Sequence, residues 1–484
     1  MPDMTTPVAE RPDETREGDV DFDVVVIGSG AAGLAAALSA SEAGASVLVA
    51  EAEGIAGGSS RLSGGFMMGA GTRYQRAAGI EDTPEALYRH YLTLNQWNLD
   101  IGPAKRLCQE AGESIEWLGD LGVEFHDRLI YGGDEFVPRV HLPLGRGQGV
   151  VDVLAHQCRA RGVEIALGQR VDRLLVEGGA VRGVAVGGDE LRSKGVVIAS
   201  GGFGNNPEML AELFPSAAAT GWSYYIGADG SRGDHVRLGE QVGALLSGRD
   251  RGLRLLHANF DRMYESYIPG WLTMVDATGR RFVDETAPYG ILDGLVRVAG
   301  DRVWVVFDRA ALEYSSTVAR NKQDRPTSSD KPSPHWNVDM VEAMVAEGKV
   351  YEAPTVAALA AAAGLPPATL EATVAKVNRW SELGEDQELG KDPKFLDGMR
   401  TPPYYAAELR PASVCWTAFG LRIDRDARVQ SEAGLPVPGL HAAGECTSGV
   451  IGPMYVGSGN MYSNCVTMGR IAGATAAATA AVPV

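Results

Sequence analysis

Residues 23–51 are the segment that most restricts how this chain can fold. They read DVVVIGSGAAGLAAALSASEAGASVLVAE: a β run, the spacing Gly28-x-Gly30-x-x-Gly33, an alanine-rich run, and a second β run that ends in Glu51. The three glycines permit a tight turn, a close backbone approach and close helix–strand packing, in that order. This order of features within about 30 residues predicts a Rossmann-like βαβ unit that binds a dinucleotide.

The loop directly after Glu51 indicates which dinucleotide is bound. This second loop is rich in glycine and serine, and it can wrap the pyrophosphate and isoalloxazine of a flavin, whereas an NAD domain does not need it. The prediction is therefore FAD, with NAD as the alternative. The predicted contacts from this region are Gly28, Gly30, Ala31, Ala32, Gly33, Glu51, Ala52, Gly57, Gly58, Ser59, Ser60, Ser63, Gly64 and Gly65.

Two distant segments support FAD. GVVIASGGFGNN at 195–206 is a β run that ends in the small residues Ser200, Gly201 and Gly202. VPGLHAAGECTSG at 437–449 places Glu445 after Gly444 and resembles the C-terminal FAD-binding signature of the two-dinucleotide-domain flavoproteins. Cofactor segments this far apart predict a cofactor domain that is built from both ends of the chain, with another part inserted between them.

The chain between these segments predicts the domain division. Residues 163–199 alternate apolar residues with Gly-Gly turns, which is typical of hairpins, and we expect a β meander in which Val171 contacts adenine through its backbone. Residues 252–310 mix strands and aromatic residues, and residues 338–384 predict two or three amphipathic helices. We expect a disordered tail at 1–20, a discontinuous FAD-binding domain at 21–250 and 396–484, and an inserted α+β catalytic or cap domain at 251–395.

Composition and charge exclude several classes of function. The formal net charge of −18 disfavours nucleic acids and anionic membrane surfaces as partners. The chain starts without a basic segment followed by an apolar run, and no apolar stretch reaches the ~18 residues of a spanning helix. The five cysteines show neither a CxxC pair nor metal-ligand spacing, so we expect no metal site and a reducing, cytoplasmic location.

Between about Asp21 and Ala477 the chain carries, in order, VVIGSGAAGLAAA, GGSS, GRRFVDETAPY, TPPYYAAEL, RIDRDARV, VPGLHAAGE and MGRIAG. These strings resemble the fumarate reductase and 3-ketosteroid dehydrogenase superfamily of flavoproteins. The resemblance implies an α/β fold with a Rossmann-like FAD-binding domain of the GR2 type. It also implies non-covalent FAD, because the loop SSRLSGG lacks the histidine to which membrane-bound succinate enzymes attach theirs. Further cofactor contacts implied near the C-terminus are Gly459, Asn460, Ser463, Asn464 and Val466, with Ser463–Val466 as a helix start.

Within this superfamily, the cations of the fumarate reductase branch are missing. The arginine expected after the GRRFVDE string is Tyr289, residues 414–420 contain no histidine, and GPMYVGSGNMYSN at 452–464 contains no cation. A site for dianionic substrates without cations would leave buried charges unpaired. The sequence therefore disfavours a dicarboxylate.

The residues present instead resemble those of 3-ketosteroid dehydrogenases. Tyr289 in APY resembles their base, and Tyr455-x-Gly-x-Gly459 resembles the element whose tyrosine hydroxyl and second-glycine N–H hold the keto oxygen. Tyr131 is the candidate for the remaining tyrosine, as hydrogen-bond partner of Tyr289. The resemblance implies an FAD-dependent dehydrogenase that introduces a C=C bond beside the ketone of a neutral, apolar, steroid-like substrate, at Δ1 or Δ4, with an undefined electron acceptor.

Several alternatives remain open. The same groups could serve an ene-reductase that saturates an enone, with Tyr289 as proton donor, and an electron-transfer flavoprotein subunit is a further possibility. Tyr462, Tyr264 and Tyr267 compete for the tyrosine positions. Trp416 and Phe419 could line the cavity or belong to the core, and Cys446 and Cys465 are predicted to be packing residues.

Overall fold

A computed structural model describes residues 20–260, 268–322, 326–328 and 330–481. The predicted tail lies outside these ranges except for Val20, and Tyr264 and Tyr267 lie outside them as well.

The described strands and helices alternate along most of the chain. The strands are β1 Phe22–Ile27, β2 Val47–Glu51, β3 Met67–Met68, β4 Val140–His141, β5 Glu164–Leu167, β6 Val171–Glu177, β7 Ala180–Val186, β8 Asp189–Ile198, β9 Tyr224–Tyr225, β10 Leu246–Ser247, β11 Gly252–His257, β12 Thr273–Val275, β13 Val303–Asp308, β14 Val350–Ala353, β15 Tyr404–Thr417, β16 Gly420–Arg422, β17 Arg428–Gln430, β18 Pro436–Ala442 and β19 Thr447–Ser448. The helices are α1 Ala31–Glu42, α2 Gly58–Leu62, α3 Arg73–Ala77, α4 Pro84–Leu94, α5 Ile101–Asp120, α6 Arg146–Ala160, α7 Pro207–Leu213, α8 Pro215–Ala218, α9 Asp234–Glu240, α10 Tyr289–Val298, α11 Arg309–Ser315, α12 Val338–Ala346, α13 Val356–Ala363, α14 Pro367–Leu383 and α15 Asn460–Ala480, with a 3₁₀ turn at Pro393–Phe395.

The first sheet brings both ends of the chain together. Its order is β17-β18-β8-β1-β2-β5, with β7 pairing β8 and β6 pairing β7. Strands β18, β8, β1, β2 and β5 are parallel, and Leu440 of β18 lies opposite Val196 of β8. The continuous apolar runs of β1 and β8 are buried, as expected for parallel strands covered on both faces. The predicted α/β Rossmann-like fold is confirmed, and the predicted meander is β6–β8.

Helices α1 and α15 pack together against this sheet. A Cβ on Gly469 would lie 2.4 Å from the Ala32 carbonyl oxygen, and one on Gly473 would lie 2.0 Å from that of Ala36. The two helix backbones are therefore in direct contact, and only glycine fits at these two positions of α15.

The second sheet is centred on a strand from the predicted return segment. Strand β15 pairs with β11, β13, β14 and β9, and β13 pairs with β12. Because β15 spans Tyr404–Thr417, the second sheet continues past residue 395, where the prolines Pro402 and Pro403 suggested the return to the cofactor domain. The division into domains, with its boundary near 395, stays a prediction. The helices α12, α13 and α14 match the helical prediction for 338–384.

Two kinds of feature are absent from the described residues. Within those ranges, no helix has the length and apolar character needed to cross a bilayer, and no group of His, Cys, Asp and Glu could hold a metal ion.

Candidate active site

A cavity of about 740 Å³ lies at the C-terminal ends of β1, β2 and β8. This edge is where parallel α/β sheets bind nucleotides. The predicted cofactor residues that line it are Gly28, Gly30, Ala31, Ala32, Glu51, Ala52, Gly58, Ser59, Ser60, Val171, Ser200, Gly201 and Glu445. We call it the cofactor cavity.

The backbone of the first turn depends on glycine. Gly28 has φ +99°, and a Cβ there would lie 2.5 Å from the Ala199 carbonyl oxygen. A Cβ on Gly33 would lie 1.9 Å from the Gly28 carbonyl oxygen. A side chain at Gly28 would collide with the backbone that follows β8, and one at Gly33 would push α1 away from the turn at Gly28. Gly33 therefore acts in packing and not as a wall of the cavity.

Polar groups on the wall fit a nucleotide. Glu51 accepts hydrogen bonds from the N–H groups of Ser29 (2.9 Å) and Glu53 (2.8 Å) and from the Ser29 hydroxyl (2.5 Å). These bonds orient its carboxylate and leave acceptor capacity for a ribose hydroxyl. Within the described residues, Ser200 Oγ and Glu53 Oε2 are buried without a hydrogen-bond partner. A polar cofactor would supply partners for both atoms.

A second cavity of about 1010 Å³ adjoins the first, and we call it the front cavity. The two share Ser59, Ser60, Glu445 and Cys465 as wall residues. The predicted Ser63, Gly64 and Gly65 line the front cavity, with Leu62, Phe66, Ile226, Trp416, Met461 and Tyr462 as apolar walls. No lysine, arginine or histidine is among the described residues that line it.

The structure brings three of the four predicted catalytic residues together in the front cavity. Tyr289, Tyr455 and Gly459 all line it, and the ring centroids of the two tyrosines are 6.0 Å apart. The Tyr289 hydroxyl shares a hydrogen bond of 3.1 Å with Ser458 Oγ. Among the described residues, the Gly459 N–H has no protein acceptor. A phenol, a hydroxyl and an available amide therefore surround one apolar space.

Glu445 stands at the junction of the two cavities. Its Oε1 accepts from the Thr417 N–H (3.1 Å) and hydroxyl (2.9 Å). The side chain opens only toward the cavities, and this burial raises the pKa of its carboxyl to about 7, against the opposing effect of the Thr417 and Gly202 hydrogen bonds. The predicted Gly202 lies against this carboxylate, because a Cβ there would be 2.2 Å from Oε1.

Comparison with known proteins identifies the family. The sequence profile described as "FAD binding domain" matches residues 23–461. The chain belongs to this family of flavoproteins. Its cofactor is FAD, and it is an oxidoreductase.

Three relatives show the range of the family. The chain is 30% identical to a probable fumarate reductase, Ifc3, of Shewanella frigidimarina, over 97% of this chain and 76% of the relative. It is 28% identical to a digoxin reductase of Eggerthella lenta, over 95% and 88%. It superposes with a TM-score of 0.78 and 26% identity on 3-ketosteroid-Δ4-(5α)-dehydrogenase from Rhodococcus jostii RHA1 in complex with 4-androstene-3,17-dione, over 96% of this chain and 99% of that one.

Tyr289 of this flavoprotein is positioned from two sides. Four residues before it, Glu285 accepts from Arg281 (2.9 Å) and Lys391 (2.9 Å) in a fully buried ion cluster. Burial alone would raise the pKa of Glu285, but the charges of Lys391 and Arg281 hold it below its usual value. On the other side, Gly290 lies against the loop that carries Tyr455, because a Cβ on Gly290 would be 2.3 Å from the Tyr455 carbonyl oxygen. The GRRFVDETAPY string thus fixes the start of α10.

The start of α15 differs from the prediction. The helix begins at Asn460 and not at Ser463, with Gly459 as N-cap at φ +90°, because glycine takes this conformation without strain. The Ser463 N–H donates to the Gly459 carbonyl (3.1 Å) and is used within the helix, so it cannot face the flavin. The helix residues that line the cavities are Met461, Tyr462 and Cys465. The predicted Asn460, Ser463, Asn464 and Val466 are buried and do not line either cavity. Gly57 and Gly444 are not among the lining residues either, and the cofactor contacts of all six stay predictions.

A third cavity of about 1140 Å³, the outer cavity, shares Tyr289 with the front cavity. Tyr131 lines this outer cavity together with Tyr289, and its N–H donates to the Pro326 carbonyl (2.8 Å). The predicted hydrogen bond between Tyr131 and Tyr289 stays a prediction, and Tyr289 shares a hydrogen bond with Ser458. Sequence reasoning missed Ser458, although it stands inside the Tyr-x-Gly-x-Gly element.

The cysteines of this flavoprotein are free thiols, of which Cys108, Cys158 and Cys446 are buried and Cys415 and Cys465 are partly buried. Cys446 Sγ donates to the Ile198 carbonyl (3.1 Å), and burial raises the pKa of Cys446 to about 12. Cys415 and Cys465 line the front cavity, where burial likewise raises each pKa to about 12. Thiols that stay protonated at neutral pH agree with the predicted packing role.

Proposed function

We propose that this flavoprotein dehydrogenates the carbon–carbon bond beside the ketone of a neutral, apolar substrate, most simply a 3-ketosteroid, at Δ1 or Δ4. The observation that carries the proposal is the front cavity, where Tyr289, Tyr455 and Gly459 meet beside the cofactor cavity. Its ionisable lining residues are phenols, thiols and Glu445, so an anionic substrate would find no counter-charge there.

Each residue has a role in this reaction. The Tyr455 hydroxyl and the Gly459 N–H donate to the substrate's carbonyl oxygen and stabilise negative charge that develops there when the α carbon loses its proton. One such donor typically contributes about 3 kcal/mol to lowering the barrier. FAD, when bound, supplies the acceptor for the hydride that leaves the β carbon.

Tyr289 takes the α proton in this proposal. A phenol has a pKa of ~10 and is a poor base at neutral pH, so the phenolate form must be stabilised. Ser458 can donate to that phenolate across the observed hydrogen bond of 3.1 Å. The substrate thus loses one proton to Tyr289 and one hydride to the cofactor, and a C=C bond forms between the two carbons.

A second candidate is the reverse reaction, reduction of an enone with Tyr289 as proton donor. The fumarate reductase and digoxin reductase relatives favour this direction. Arg320 lines the outer cavity and is 8% exposed, and its guanidinium bears on the charge of the substrate, because it could hold an anionic group of a molecule that reaches Tyr289.

Anaerobic flavin titrations test both directions. The oxidised protein is mixed with 5α-androstane-3,17-dione or with succinate, and the visible flavin absorbance is monitored. We expect bleaching by the steroid and none by succinate. In the opposite experiment the reduced protein is mixed with 4-androstene-3,17-dione or with fumarate, and faster reoxidation by the steroid supports enone reduction.

The variant Tyr289→Phe is the matched control for both titrations. It keeps the ring but removes the acid–base group, so we expect bound FAD at wild-type content and a rate lower by about 10²- to 10⁴-fold. Bleaching by succinate, reoxidation by fumarate, or an unchanged rate in Tyr289→Phe would each contradict the proposal.

A further inference from the structure

The loop that carries Tyr455 and Gly459 rests on a second segment, residues 130–135, which we call the strap. The Ser458 N–H donates to the Gly132 carbonyl oxygen at 2.9 Å. This hydrogen bond joins the strap directly to the residue whose hydroxyl bonds Tyr289.

The contact between strap and loop leaves no room for side chains. A Cβ on Gly132 would lie 2.6 Å from the Ser458 carbonyl oxygen, and one on Gly133 would lie 2.7 Å from that of Val456. From the other side, a Cβ on Gly457 would lie 2.8 Å from the Gly132 carbonyl carbon. Since the two backbones are in van der Waals contact, a shift of the strap must move the loop.

A buried acid holds the strap in place. Glu135 is 1% exposed; its Oε1 accepts from the Gly132 N–H (3.1 Å) and its Oε2 from the Gly133 N–H (2.7 Å). Both carboxylate oxygens therefore bind the two residues that touch the loop. Burial raises the pKa of Glu135, while these amide bonds and the charge of Arg139 act against the rise.

Arg139, the cation near Glu135, is also paired with another acid. Arg139 makes a bidentate pair with Asp82 (2.7 and 2.8 Å), and both side chains are almost fully buried. An isolated buried carboxyl destabilises a protein unless its acceptors are used. The acceptor oxygens of Glu135 are used by the backbone N–H groups of Gly132 and Gly133.

We propose that Glu135 is a positioning residue that fixes Ser458 and Gly459 through the strap. The reaction it serves is the one given under Proposed function, on which this inference rests, whereas the contact itself does not depend on the substrate. Because misplacement of reacting groups by about 1 Å can cost 10²-fold in rate, loss of the carboxylate should lower turnover without changing the walls of the cofactor cavity.

The test variant is Glu135→Gln, which keeps one oxygen acceptor and turns an NH₂ group toward the second strap N–H. We expect kcat to fall roughly 10- to 100-fold with KM changed by less than about threefold, and FAD content to stay at the wild-type value. Hydrogen–deuterium exchange of the FAD-loaded protein should be about tenfold faster at the Ser458 amide and unchanged in β1 and α1.

Two further variants serve as a control and as a second test of the contact. Glu124→Gln changes an exposed glutamate that precedes the strap in sequence, and this variant should behave as wild type. Gly132→Ala disturbs the contact from within the strap and should reproduce the lower kcat and the faster exchange.

The outcomes separate the inference from the proposed function. If the wild type converts no neutral ketone or enone, the proposed function fails. The exchange rate of the Ser458 amide in Glu135→Gln then tests the positioning role of Glu135 by itself. Wild-type exchange and kcat in Glu135→Gln overturn the inference. Loss of FAD in that variant also overturns it, because the effect would then reach beyond the loop.

Discussion

Glu445 gives a stability prediction whose size can be worked out from the structure. Burial raises the pKa of its carboxyl from 4.5 to about 7 in the folded protein. The folded state therefore favours the protonated form, so its contribution to stability is complete below pH 4.5 and is lost as the pH rises through 7. At about 1.36 kcal/mol per pKa unit the full loss is about 3 kcal/mol, and water in the cavity makes this an upper bound.

The variant Glu445→Gln removes this titration while its amide oxygen can still accept from Thr417. From about pH 5.5 to about pH 8, the wild type should lose about 1–2 kcal/mol of unfolding free energy relative to the variant. Urea unfolding of the flavin-free proteins at both pH values measures this difference, and the exposed Glu382→Gln is the control. Parallel pH dependence of wild type and Glu445→Gln would show that burial does not raise the pKa of this carboxyl.

The remaining predictions concern FAD loading and catalysis. Tyr455→Phe should lower kcat by about 10²- to 10³-fold with FAD retained, because one donor to the carbonyl is lost, as measured by stopped-flow bleaching. Ser458→Ala should cost about 1.5–3 kcal/mol of barrier, and the acidic limb of its pH–rate profile, on which the rate rises as the base loses its proton, should move to higher pH because the phenolate loses its donor. Gly33→Ala should purify colourless, since its Cβ would lie 1.9 Å from the Gly28 carbonyl oxygen. Arg320→Gln should change the rate with a neutral steroid by less than about threefold, whereas a large loss would favour an anionic substrate.

The cofactor half of the fold could be predicted because its signals are local. Gly28, Gly30 and Gly33 fix one turn, and Glu51 ends the next strand, so a short stretch of sequence determines the βαβ unit. The predicted end of the insertion near 395 was less reliable. Pro402 and Pro403 interrupt the chain locally, but the sheet to which β15 belongs is decided by strands far away in sequence, including β11 and β13.

The candidate catalytic residues could be predicted by motif, but their hydrogen-bond partners could not. Tyr289 and Tyr455 stand in recognisable strings, and the structure places both on the front cavity. The hydrogen bond between Tyr289 and Ser458 spans 169 positions, and no periodicity in either segment encodes it. For the same reason Glu135 had no sequence signal, because its task is to bind backbone amides of its own segment beside a loop from the other end of the chain.

The contact of Gly469 with Ala32 and of Gly473 with Ala36 has a consequence for biosynthesis. During translation the N-terminal βαβ unit leaves the ribosome long before α15, the helix that covers α1, and before β18, the strand that flanks β8. The side of α1 that α15 covers therefore stays uncovered until the chain has been synthesised through α15.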